Sequence, residues 1–172
     1  MSFEEIRVIT VVYLAVFLPL LIYFQNKSRL PSWVPTFYII GVIVCALGWE
    51  IWFTYGWLDG DSVNLRRSEA LNSWLPKNLN WLMNSMGDAG AVLLGGVWIM
   101  WLSHKKDVRV FKEWKWSAFC ILLIWCIGQN ILVEMFLYHD QLAEGKPLSW
   151  APLSPLGPYF NPTLFEFNDR TI

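Results

Sequence analysis

Three carboxylic acids, Glu50, Asp88 and Glu134, lie inside stretches that are otherwise apolar and uncharged. An acid in hydrocarbon must keep its proton, pair, or bind something, because a bare Asp at the centre of a spanning helix costs about 2.5–3.5 kcal/mol. Each has polar company at helical spacing. Asn84 and Asp88 stand at i, i+4, Asn130 and Glu134 repeat the pair with Gln129 beside them, and Thr54 follows Glu50 by one turn. Like charges in a low dielectric cannot all ionise cheaply, so such a set holds at least one protonated acid. Proton transfer is the chemistry this suits: Glu50 or Asp88 protonated as donor, the other ionised as acceptor or cation stabiliser. Asn84, Gln129, Asn130 and Glu134 would bind and orient a ligand, and the faces of Trp49, Trp52 and Trp81 could stabilise a cation. The plainer role for the same residues is hydrogen bonding between helices, worth about 0.6 kcal/mol each on average.

Other chemistries lack their parts. His104 and His139 fall at opposite ends of the apolar region, so they cannot share a metal, and the three cysteines lie within apolar segments as small hydrophobes. There is no phosphate-cradling loop, dinucleotide fingerprint or HExxH. No metal or cofactor is implied. A net charge of −1 and a pI near 6.1 give no electrostatic footprint for nucleic acid.

The elements that position these acids are membrane helices. Apolar residues make up 55% of the 172-residue chain and charged ones 16%, against about a quarter in soluble domains; mean hydropathy is +0.38. Low-charge stretches predict four transmembrane helices over about 6–25, 33–57, 81–102 and 116–138, in an all-α bundle 1–138. Glu4, Glu5 and the lack of a small-residue cleavage pattern argue against a signal peptide. Lys105, Lys106, Arg109, Lys112 and Lys115 in the 103–115 loop, with Lys27 and Arg29 in the first loop, predict those loops on the cytoplasmic side. Both termini and the 58–80 loop, despite Arg66 and Arg67, then face outward. Trp33, Trp57, Trp81, Trp101 and Trp116 mark helix ends, as headgroup anchors do.

At about 1.5 Å per residue, Glu50 and Asp88 lie roughly 10 Å, and Glu134 roughly 6 Å, inside the outer ends of their helices. The chain reverses between helices, yet the acids return to the outer half each time. One polar pocket opening outward is therefore expected. The third helix is rich in small residues (Gly87, Ala89, Gly90, Ala91, Gly95, Gly96), which predicts close packing at the bundle centre. Pro19 predicts a kink in the first helix. Five of the nine prolines fall in the tail 139–172, which predicts an irregular extramembrane segment packed on its own bundle or on a partner.

A helix ending Gly48-Trp49-Glu50-Ile51-Trp52-Phe53, a Gly-rich third helix, and Gly128-Gln129 leading to Phe136-Leu137 resemble the emopamil-binding (EXPERA) superfamily over residues 46–138. That resemblance implies a sterol isomerase or sterol-binding protein with acids and tryptophans in the membrane. In the isomerases a proton is donated to a sterol alkene and another removed elsewhere. Glu50 matches the acid of the family's second helix. The sequence departs from the isomerases at Ala46, where they carry histidine, at Asp88, which is out of register, and in having a Pro-rich tail where they have a fifth helix.

The expectation is an integral membrane protein whose outward-facing acidic pocket binds an apolar or amphipathic ligand (a sterol, terpenoid or membrane lipid), with isomerisation by proton transfer open to it. The rival is a non-catalytic accessory subunit that docks on membrane protein partners through helix faces and the tail. A proton-coupled transporter ranks last, because the inner half has no acid or base to continue a route.

Overall fold

Residues 1–56 and 62–133, with the backbone of 166–167 and 170–171, are described by the computed structural model. Helix α1 (Phe3–Asn26) starts at a capping box: Ser2 Oγ accepts from Glu5 N (3.2 Å) and Glu5 Oε2 accepts from Ser2 N (2.6 Å). It runs on as one helix past Pro19. Val8, Val12 and Val16, one turn apart, form its buried stripe and pack with Leu71, Leu75 and Met83.

The second apolar segment is not the single helix expected over 33–57. It is α2 (Val34–Leu47) and α3 (Trp49–Tyr55), set at 45° to each other. Gly48 makes the break. Its φ −91°, ψ −118° leave the helical region while its N–H still bonds Val44 O at 2.9 Å. A Cβ there would lie 2.7 Å from that carbonyl, so only glycine fits. Two short helices follow, α4 (Val63–Arg66) and α5 (Glu69–Trp74), in what reads as loop from the sequence.

The third segment starts at Lys77, earlier than expected, and continues to Ser103 as α6 (Lys77–Ala89), a π turn (Gly90–Leu94) and α7 (Gly95–Ser103). It touches α1, α2, α3 and α8 (Trp116–Leu132), so it forms the centre of the described bundle. Its glycines meet neighbours closely. A Cβ on Gly90 would lie 2.9 Å from Ala15 O of α1, and one on Gly96 would lie 3.1 Å from Leu122 of α8. Helix α8 packs on α7 and the π turn and buries only Ala118. Residues beyond 133, Glu134 among them, lie outside the described residues, apart from a pairing of β1 (Glu166–Phe167) with β2 (Arg170–Thr171).

Phe3–Asn26 and Lys77–Ser103 are long and apolar enough to cross a membrane, and the bent pair α2–α3 makes a third candidate span. The tryptophans divide. Trp33 and Trp116 are exposed, at 43% and 69%, as headgroup anchors would be. Trp101 is a correction: it is 1% exposed and packs with Met100, Val110 and Ala118, because its ring turns into the junction of α7 and α8. Trp81 also turns inward, as the site below shows.

Candidate functional site: a buried polar cluster between α3 and α6

Helix α6 buries the side that a water-soluble helix would expose. Asn80 is 0% exposed and Asn84 6%, and Ser85 is buried beside them. Asn80, Asn84 and Asp88 stand at i, i+4 and i+8, so they form one polar stripe down the helix. Facing α6 is α3, whose buried residues are Glu50 and Thr54. The break at Gly48 is what turns this short helix, and with it Glu50, into the bundle. Thr54 Oγ1 donates to Glu50 Oε2 across one turn at 3.4 Å.

Two tryptophans tie the carboxyls to the helices around them. Trp49 Nε1 donates to Asp88 Oδ2 at 2.8 Å, which fixes that half-buried acid against α3. Trp81 Nε1 donates to Ala46 O at 2.8 Å, a carbonyl that the break at Gly48 leaves without a helical partner. The Trp81 ring also meets Tyr55 edge-on at 6.3 Å, and Tyr55 Oη donates to Asn78 Oδ1. Trp52 is half-buried on α3.

Arg67 closes the cluster at the N-terminal end of α6. Its guanidinium donates to Asn72 Oδ1 (2.8 Å), to Asn80 Oδ1 (2.7 Å) and to Leu75 O. Burial, with Arg66 adjacent, pushes it down to about 10, so it stays charged at neutral pH. Arg66 donates to Phe53 O and lies 4.9 Å over the Phe53 ring. The two arginines that sequence reasoning weighed only as topological charge therefore hold the α4–α5 segment onto α3 and α6.

Not every polar atom in this cluster is used. Asn84 Oδ1, an acceptor, and Asn80 Nδ2, a donor, are buried and have no hydrogen-bond partner among the described residues. Unpaired buried polar groups cost about 1–3 kcal/mol each, so their persistence calls for a reason.

Comparison with family models, with curated proteins and with solved structures gives no match.

The structure thus gathers Glu50, Asp88, Asn84, Trp49 and Trp81 around one junction. Gln129 and Asn130 are half-buried on α8, which runs antiparallel to α7: His104 Nε2 meets Ser117 Oγ at 2.9 Å, and Trp125 Nε1 donates to Ala91 O at 2.9 Å. One further turn brings Gln129 and Asn130 to the depth of Asp88. The hydrogen bond that Gln129 makes is to Cys126 O of its own helix, at 3.3 Å. Sequence reasoning missed Asn80, Ser85 and Arg67. The first was findable, since it extends the Asn84–Asp88 spacing by one turn; Arg67 carries no local signal of its role.

Proposed function

We propose that the protein is a four-helix membrane protein whose outward-facing polar cluster, walled by α3 and α6, binds an amphipathic ligand by its polar end. One observation carries the reading. A helix at the centre of the bundle buries its polar stripe, and within that stripe a donor (Asn80 Nδ2) and an acceptor (Asn84 Oδ1) have no partner among the described residues. A ligand hydroxyl, which accepts from the one and donates to the other, would satisfy both and remove the penalty of leaving them unpaired. The apolar body of a sterol, terpenoid or lipid suits the surroundings, and the resemblance to the emopamil-binding superfamily favours a sterol-like shape.

The same parts permit proton transfer. One carboxyl of the Glu50–Asp88 pair gives a proton to an alkene carbon, the resulting cation faces the indoles, and the other carboxylate takes a proton from a neighbouring carbon. Trp49 acts here as a positioning residue, since it donates to Asp88 and fixes its orientation. Gln129, Asn130 and Glu134 of the fourth helix complete the pocket in this reading.

The test is Glu50→Gln, which keeps shape but removes charge and transferable proton. Lipid extracts of wild-type protein purified in mild detergent should contain a bound apolar alcohol that the variant lacks at equal yield. Identical extracts would reject the reading. The topology, with both termini outside, is tested by labelling a cysteine placed at Lys106: reaction from the outer face alone would reverse it.

A second reading, an accessory subunit, is favoured by α8. Ile124 is 71% exposed and Ile127 52%, and a Cβ on Gly128 would meet no described atom within 4 Å. Truncation after Gln141 that releases the protein from a larger complex, with an unchanged extract from Glu50→Gln, would favour this alternative.

A further inference from the structure

An apolar cavity, sharing no lining residue with the polar cluster, runs between α1 and the inner half of the third helix. It encloses about 340 Å³, and its walls are almost wholly apolar. On α1 it extends from Val11 to Tyr23, past Leu18 and Pro19; across from them stands Ala91 of the π turn, and Leu30 of the first loop closes its end. Small residues make the space: Ala15 and Ala91 line it where larger side chains would fill it.

Its dimensions fit one occupant. Twelve residues of α1 correspond to about 18 Å, and one leaflet of a bilayer's hydrocarbon core is about 15 Å thick. The groove is therefore as long as one acyl chain is deep. Its end at Leu30 adjoins the loop 27–33, which holds Lys27 and Arg29 and no acid. Both cations are exposed, and neither has an ion pair among the described residues.

We propose that this groove holds one acyl chain of an anionic phospholipid whose headgroup sits at Lys27 and Arg29. The chain end is recognised by shape and apolar walls, the head by charge, each cation favouring an anionic over a zwitterionic head by about fivefold. The site concerns retention of a structural lipid and stands whatever the polar cluster binds.

Native mass spectrometry of the full chain in detergent, titrated with dioleoylphosphatidylglycerol and separately with dioleoylphosphatidylcholine, tests it. Wild type should retain one phosphatidylglycerol and prefer it over phosphatidylcholine. Leu18→Trp and Ala91→Phe fill the groove from opposite walls, and each should weaken retention of both lipids by about tenfold. Lys27→Gln with Arg29→Gln should leave phosphatidylcholine binding unchanged and abolish the preference. Leu18 is a lipid-side residue, 50% exposed, so its variant remains informative if Ala91→Phe fails to fold. Equal affinity for the two lipids in wild type, or undiminished retention in Leu18→Trp, would overturn the proposal. So would loss of a self-associated state in Leu18→Trp with lipid binding intact, which would mark the groove as a contact between copies of the chain.

Discussion

The two halves of the third helix, α6 (outer in the proposed topology) and the stretch from Gly90 to Ser103 (inner in that topology), bury different kinds of surface. In α6 the buried residues include Asn80, Asn84 and Ser85 beside Met83, Gly87 and Ala89; in the inner half they are apolar throughout, among them Leu94, Gly96, Val97, Met100 and Trp101. The inner half is held by close contacts at its glycines, Gly90 against α1 and Gly95 and Gly96 against α8, beside the apolar groove, and Trp125 donates to Ala91 O. The outer half is held by hydrogen bonds from Arg67, Trp81 and Trp49, and two of its polar atoms have no partner among the described residues. Close packing dominates the first arrangement and buried hydrogen bonding the second, where the proposed ligand would bind. Substitutions in the two halves should therefore separate, with stability effects falling from the inner half to the outer.

The largest loss is expected at Gly90. A Cβ there would lie 2.9 Å from a backbone carbonyl of α1, which cannot rotate aside as a side chain can. Gly90→Val should cost about 3 kcal/mol, read as a lower midpoint of thermal unfolding in detergent. Gly128→Ala, on the open side of α8, should stay within about 0.5 kcal/mol of wild type. Equal effects from the two would erase the claim that the inner half is packing-limited.

Arg67→Ala comes next. It removes three donors from the outer end and strands Asn80 Oδ1, so about 2 kcal/mol should be lost. Limited proteolysis should then cut between residues 62 and 76 before any other site. A variant cut no faster there would show that the α4–α5 segment is held by something other than this guanidinium.

Trp81→Phe removes only the bond to Ala46 O at the break, and a loss of about 1 kcal/mol is expected. Amide exchange at Gly48 and Trp49 should rise with it. No change in exchange would mean that the break does not depend on the indole.

What could be read from the sequence, and what could not, follows the same division. The apolar runs of α1 and the third helix need only length and hydropathy, and the glycines of the inner half foretell close packing by their spacing. The break at Gly48 was not legible. Gly48-Trp49-Glu50 reads as continuous helix, and what stabilises the interruption is a carbonyl-to-indole bond from Trp81, far along the chain. Trp101 at a helix end reads as a headgroup anchor, but only the seating of α8 on α7 decides that it turns inward. Arg67 reads as a loop charge for the same reason, since its three acceptors are set by the tertiary fold.

The smallest effect on stability within the third helix, and the sharpest test of the comparison, is expected from Asn84→Leu. A buried Asn in a packed structure normally costs stability when replaced, because its partners are stranded. Here Oδ1 has no partner among the described residues, so leucine of similar size removes a desolvated acceptor and strands nothing that the structure records. The midpoint should stay within about 1 kcal/mol of wild type, or rise. Retention of the ligand should fall with it, since the vacant acceptor is what the ligand's polar end would fill. Unfolding measured beside a lipid extract gives both readouts from one preparation. A large loss of stability would show that Asn84 is already satisfied within the protein, and the outer half would then be a structural hydrogen-bond network like any other buried polar seam.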